Sequence, residues 1–283
     1  MIRMAIMNML FLSFPTQKIL FKRTQQIMSR LDSLFLAYLT VFLWLGNIDT
    51  LTSQSSLFTY QQYINEKGDS LNYRQLLSDY DTNSKYPLVI FLHGAGERGN
   101  DNEAQLKWGV KNFTSDNIMK IHPSIVLAPQ CPKNMSWGNF SEDDMSLLPS
   151  PTKPMQLLIE LVKKTINTMP VDINRIYITG LSMGGIGTFD AISRYPDLFT
   201  AAVPVCGGGD VTKANIIAKI PIWVFHGVRD TTLSAKLSQD MVNALIEEGA
   251  EPGFTLYPEV GHFSWIAAYS DPMMMDWLYR QHK

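Results

Sequence analysis

From Arg175 the chain reads Ile176-Tyr177-Ile178-Thr179, then Gly180-Leu181-Ser182-Met183-Gly184, then a segment with helical character to about Tyr195. An unbroken apolar run that passes through a glycine-bracketed serine into a helix is compatible with few folds. Unbroken runs suit strands covered by helices on both faces, whereas strands with one wet face alternate. A side chain at either bracketing glycine would collide with the neighbouring strand or helix, and the tight turn itself needs a permissive backbone. Such a turn lifts one serine hydroxyl to the edge of a parallel sheet. A glycine-rich turn can match five residues by chance, so the reading rests on what surrounds them.

The surroundings have the same character. Phe58–Ile64 and Leu71–Leu77 are strand-like runs separated by the turn sequence Glu66-Lys67-Gly68-Asp69, which predicts an antiparallel hairpin opening the domain. Unbroken apolar runs recur at Leu88–Leu92, Ser124–Ala128, Ala201–Val205, Ile222–Phe225 and Gly253–Tyr257. Between them, Met155, Leu158, Ile159, Val162, Ile166 and Met169 recur at three- and four-residue spacing and give one apolar helix face. Leu237, Met241 and Leu245 form another such face with Gly249 as its stop, and a last helix is expected from Pro272 towards Arg280. Strands alternating with helices predict an α/β fold: a mostly parallel central sheet with right-handed crossovers and helices on both faces. Residues 94–121 and 130–152 are long insertions after strand ends, where such folds build their sites.

Composition narrows the function. The chain is 46% hydrophobic and 18% charged, so it can bury a substantial core. A net charge of −2, with no basic stripe interleaved with aromatics, argues against nucleic-acid binding. Residues 56–283 are expected to form one catalytic domain, with residues 1–55 as a leader. There the apolar run Leu34–Leu45 follows Lys22, Arg23 and Arg30. It has the length of a signal-peptide core and is short of the ~20 residues a membrane-spanning helix needs. Export to the periplasm or the exterior is expected, with membrane attachment only through the leader if it is uncleaved. A buried or amphipathic N-terminal helix is the alternative, and Met28 an alternative start. Cys131 and Cys206 fall past the ends of strands separated by two others, ~14 Å apart, beyond the ~7 Å a disulfide spans, so free thiols are expected. Nothing in the sequence indicates an oligomeric state.

A serine hydroxyl is a poor nucleophile at neutral pH, so it needs a base, and the base an orienting acid. Downstream of Ser182, His262 lies in Val260-Gly261-His262-Phe263-Ser264-Trp265, the loop after the last strand, where the base is expected. His226 ends an earlier strand and reads as structural, which leaves Asp230, four residues on, as the expected acid. Asp210, after Cys206-Gly207-Gly208-Gly209, and Asp190, on the helix after the serine turn, are its rivals. Asp210 reads as a shaper of the glycine-rich loop and Asp190 as a solvent-facing helix residue. The oxyanion of a tetrahedral intermediate needs preorganised donors. The Met183 amide and the Ala95 amide, in the loop His93-Gly94-Ala95-Gly96, stand where they belong. His93 reads as a brace for that loop. Trp108 and Trp137, in the two insertions, are candidate substrate-binding walls or, equally, core residues. Glu97 and Arg98 are an expected pair, with substrate contact by Arg98 as an alternative.

These residues carry a resemblance. Leu92-His93-Gly94-Ala95-Gly96-Glu97-Arg98-Gly99, Ala128-Pro129-Gln130-Cys131-Pro132, Gly180 to Gly185, Phe225-His226-Gly227 through Asp230, Gly261-His262 with Trp265, and Tyr269-Ser270-Asp271-Pro272 follow in order over residues 58–281. Together they resemble the phospholipase/carboxylesterase-like branch of the α/β-hydrolases, often labelled predicted peptidases, near dienelactone hydrolases, feruloyl esterases and polyhydroxybutyrate depolymerases. The resemblance implies an α/β-hydrolase fold and an esterase with Ser182, Asp230 and His262 as triad, and none of the three positions departs from the pattern. That chemistry requires no metal and no organic cofactor. The expected partner is a small-molecule or polysaccharide-linked ester, such as acylated carbohydrate or hydroxycinnamate esters. An exopeptidase or amidase with the same triad is an alternative, although no amine- or carboxylate-binding site is identifiable. A non-catalytic binding protein on the same scaffold is another, which a missing triad member would have favoured. A membrane-tethered scaffold is a third.

Overall fold

The structure, a computed structural model, describes residues 57–77, 81 and 83–283; the expected leader and its export signal lie outside the described residues. Strands β1 (Phe58–Ile64) and β2 (Ser70–Leu77) form the expected antiparallel hairpin, with Phe58 opposite Leu76 and Ile64 opposite Ser70. Its turn carries Gly68 at φ +81°, a backbone state that glycine adopts without steric cost. β2 pairs antiparallel with β4 (Ile125–Pro129). The remaining strands are β3 (Tyr86–Leu92), β5 (Val171–Leu181), β6 (Ala201–Val205), β7 (Trp223–Gly227) and β8 (Gly253–Tyr257). They run parallel with β4 in one eight-stranded sheet of order β1-β2-β4-β3-β5-β6-β7-β8.

The unbroken apolar runs are explained by coverage of both faces. In β3, Leu88, Ile90 and Leu92 enter one hydrophobic cluster while Val89 and Phe91 enter the other. The first cluster packs α2 (Lys153–Thr168), α3 (Met183–Arg194) and α5 (Ala235–Glu247) on the sheet, and α4 (Ala214–Ile217) with them. The second packs α1 (Asp116–Ile121), α6 (Trp265–Ser270) and α7 (Pro272–Tyr279) on the opposite face. Successive side chains of a strand point to opposite faces, so one apolar run supplies both cores.

Helix boundaries follow from local chemistry. The Thr152 side chain accepts from the Met155 amide and Pro154 occupies the first turn of α2, both N-terminal signals. Gly249 at φ +82° ends α5 as expected. β5 is longer than its apolar run predicts. It begins at Val171, where Asp172 and Arg175 pair at 2.7 Å, and its pairing with β3 shifts register between Tyr86 and Leu88. Polar side chains at a partly exposed strand end leave no hydrophobic signal. Cys131 and Cys206 are buried free thiols, as the strand spacing predicts. Among the described residues no helix is long and apolar enough to cross a membrane.

Candidate active site

Ser182 stands between β5 and α3 at φ +54°, ψ −116°, a sparsely populated backbone state that costs of order 1–3 kcal/mol. The surrounding backbone holds it there. The Ser182 amide donates to Val205 O at 2.9 Å, and the Ile186 amide donates to Ser182 O at 3.0 Å. Two glycines make the crossing possible. A Cβ on Gly184 would lie 2.0 Å from Leu92 O, and one on Gly180 would lie 2.4 Å from Gly184 O. The serine turn is therefore wedged directly against the end of β3 and the loop that follows it.

Three side chains from separate loops meet here. Ser182 Oγ lies 2.9 Å from His262 Nε2, and His262 Nδ1 lies 2.7 Å from Asp230 Oδ2. Asp230 follows β7, and its Oδ1 accepts from the amides of Thr232 at 2.8 Å and Leu233 at 2.9 Å. Burial alone would raise the Asp230 carboxyl's pKa. The His262 hydrogen bond and the two amides outweigh it and hold the group below the usual carboxylate range. His226 is buried, with Nε2 3.2 Å from Asp230 Oδ2 and 3.0 Å from Leu233 O, and Nδ1 2.7 Å from Ser238 Oγ. Asp230 thus touches two imidazoles, and only that of His262 reaches the serine.

The rival acids lie elsewhere. Asp210 accepts from the Thr212 amide at 2.9 Å, the Thr212 hydroxyl at 2.7 Å and the Leu147 amide at 2.9 Å, and so shapes its loop. Asp190 does not face solvent as its helical position predicts. It is fully buried, pairs with Arg194 at 2.8 Å and accepts from the Asn139 amide at 2.9 Å. Arg194 in turn donates to the carbonyls of Leu148 and Pro149.

The two candidate oxyanion donors occupy the first positions of helical turns. Met183 opens α3 and Ala95 opens a 3₁₀ turn, Ala95–Glu97. Amides at such positions have no carbonyl partner within their own helix. The Ala95 loop is braced by His93, whose Nδ1 lies 2.6 Å from Gly94 O while its Nε2 accepts from the Cys131 amide at 2.9 Å. This network fits a neutral ring, and burial depresses the His93 pKa to about 4. Arg98 does not pair with Glu97 as the sequence suggests; its Nε–H points to Met183 Sδ at 3.1 Å. Glu97 is buried, which raises its pKa.

The two tryptophans part company. Trp137 cannot wall a substrate pocket: it is fully buried, and its indole N–H donates to His93 O at 3.2 Å. A Cβ on Gly187 would lie 2.4 Å from Trp137 Cβ, so this ring is packed beneath the site as core. Trp108 is half-buried beside Phe263 and Trp265, with ring centroids 6.1 Å and 6.2 Å away. Sequence reasoning missed Phe263, although an aromatic residue directly after the expected base was a readable signal. Among the described residues, only Cys206, Asp230 and His262 bring ligand atoms close enough to share a cation. Burial pushes the Cys206 thiol up to about 12, which keeps it protonated and a poor ligand at neutral pH.

A serine, an imidazole and a carboxylate in hydrogen-bonded series at the carboxyl ends of a doubly covered parallel sheet define a serine hydrolase of the α/β-hydrolase fold. The chain belongs to the phospholipase/carboxylesterase family, which it matches over residues 80–274. It is 39% identical to a thermostable esterase of known structure, with a TM-score of 0.76 over 81% of this chain and 64% of the other. It is 27% identical over 210 residues to acyl-protein thioesterase 1 of Neurospora crassa, covering 62% of this chain and 79% of that protein. It is also 27% identical over 150 residues to a bifunctional acetylxylan esterase/xylanase of Neocallimastix patriciarum, covering 52% of this chain but only 20% of that enzyme. The chain thus has the family and fold of carboxylesterase-type serine hydrolases, and it spans less than two thirds of the length of the esterase structure and of the acetylxylan esterase/xylanase.

Proposed function

We propose that the protein hydrolyses carboxylic esters through an acyl-enzyme on Ser182, with His262 as base and Asp230 as its orienting acid. The observation that carries this reading is the unbroken series Ser182 Oγ–His262 Nε2–Asp230 Oδ2, at 2.9 Å and 2.7 Å. His262 takes the hydroxyl proton as Ser182 attacks the ester carbonyl, and the ionised Asp230 stabilises the imidazolium. The Met183 and Ala95 amides would hold the oxyanion, each such donor being worth about 3–4 kcal/mol in the transition state. His262 then protonates the departing alcohol, and water attacks the acyl-enzyme with the same imidazole as base.

Acylated carbohydrate or hydroxycinnamate esters are the proposed substrates. The acetylxylan esterase similarity supports that choice, and the leader pattern of residues 1–55, which supports export, would bring the enzyme to such polymers. The test compares kcat/KM of the full chain on p-nitrophenyl acetate, p-nitrophenyl octanoate, methyl ferulate and an aminoacyl p-nitroanilide. We expect ester turnover well above anilide turnover, and a loss of about 10⁴–10⁶-fold in Ser182→Ala. Preferential cleavage of the anilide would overturn the reading in favour of a peptidase.

A further inference from the structure

The aromatic side chains next to His262 form a series that ends in solvent. Trp265, buried, meets the His262 ring edge-on at a centroid distance of 5.2 Å. Phe263 lies 4.8 Å from Trp265, and Trp108 lies 6.1 Å from Phe263. Phe263 is 55% exposed although it directly follows His262 in the chain. Lys107 Nζ sits 5.2 Å from the centre of the Trp108 ring, so an ammonium donor borders the same surface. The Trp265 indole nitrogen is buried without a hydrogen-bond partner. A large ring left open beside the nucleophile's base is placed to meet something that comes and goes.

The direction of the reaction says which half of the substrate it meets. This step rests on the acyl-enzyme reading above. When the tetrahedral adduct collapses, the bond between the carbonyl carbon and the alkoxy oxygen breaks. The acyl group stays on Ser182 Oγ, and the proton held on His262 Nε2 passes to the departing oxygen. That oxygen therefore lies at His262 Nε2 when it departs, and the aromatic rings grouped around His262 stand on that side of the site.

We propose that Phe263, with Trp108, is a platform for the alcohol half of the ester, and that this half is a pyranose sugar. The C–H face of a pyranose ring carries partial positive charge and complements the negative face of an aromatic ring. Its hydroxyls stay at the rim, within the surroundings of Lys107. A flat platform with one open face takes a sugar as part of a chain as readily as a single ring. Phe263 is a specificity-determining residue: it selects the leaving alcohol and is indifferent to the acyl group.

Two substrate series test this on the full chain. One keeps the acetyl group and varies the alcohol (ethyl acetate, phenyl acetate, an acetylated methyl xyloside); the other keeps ethanol and varies the acyl chain from acetate to octanoate. The wild type should prefer the xyloside acetate to ethyl acetate. Phe263→Ala should lower that ratio of kcat/KM about tenfold, chiefly through KM, and should leave the order of the acyl series intact. Phe263→Tyr should restore the ratio, which a merely structural role would not predict. The proposal is overturned if Phe263→Ala reorders the acyl series while keeping the alcohol ratio. It is equally overturned if phenyl acetate is the preferred alcohol ester and alone suffers in the variant, since the platform would then take an aryl ring. Absence of Ser182-dependent turnover on every ester, ethyl acetate included, would instead refute the underlying esterase reading, and the platform with it.

Discussion

Two insertions of similar character flank this site, and their tryptophans have opposite fates. Residues 130–152 are tied into the core. Asp190 holds the Asn139 amide, Asp210 holds the Leu147 amide, Arg194 holds two carbonyls, and Trp137 is packed out of solvent under His93. Residues 94–121 also enter the core, through Leu106, Val110 and Phe113, yet they leave Trp108 half-exposed near His262. The lesson is that loop length and aromatic content do not decide whether a segment receives substrate. Each ring's own neighbours do: His93 and Gly187 close over Trp137, whereas Trp108 lies beside the exposed Phe263.

The comparison can be broken in three places, in order of decreasing effect. Trp137→Ala should cost about 3–5 kcal/mol of stability, as truncation of a large buried ring does, and read out as a clear drop in urea midpoint. An unchanged midpoint would mean that residues 130–152 are not part of the core. The His93 ring provides a second handle. Its folded pKa of about 4 lies below the ordinary 6.5, so between these values the unfolded chain binds more protons than the folded one. Stability is fully present above pH 6.5 and should be lost as pH falls towards 4, by about 3 kcal/mol for a shift of this size. Denaturant titrations across this range should show that slope in the wild type and a flatter one in His93→Gln. Equal slopes would show that the loop before Cys131 does not depend on a neutral His93. Trp108→Ala should have the smallest effect on stability, about 1 kcal/mol, while lowering kcat/KM on sugar acetates several-fold. A stability loss matching that of Trp137→Ala would erase the distinction between the two tryptophans.

Much of this arrangement was legible before any coordinates. The serine turn, His262 after β8 and Asp230 after β7 are fixed by local spacing from strand ends, and unbroken apolar runs mark doubly covered strands. What stayed hidden depends on partners far away in sequence. Asp190 looks like a surface residue because a helix next to the nucleophile ought to have an outer face; here residues 139–150 cover that face. Trp137 and Trp108 are indistinguishable as letters in irregular segments, and Trp137 is defined by a residue 44 positions earlier. The start of β5 carried charged side chains and so no periodic signal. His226 could be placed at a strand end, but its contact with the Asp230 carboxylate is a matter of side-chain direction.

The carboxylate of Asp230 is held by two amides of its own loop and faced by the His226 ring, and the same Oδ2 meets His262 from the segment after β8. Three of these four contacts come from residues 226–233, and the fourth comes from His262. The short segment from Gly261 to Trp265, which carries both His262 and the aromatic surface, approaches β7 through bare backbone: a Cβ on Gly227 would lie 2.2 Å from Gly261 O. The molecule therefore behaves like a socket and a plug. On the proposed mechanism the socket would set how the reaction runs, and exchanging the side chains of the plug around an unchanged histidine is a route by which descendants of one such chain could acquire new substrates while keeping the same chemistry.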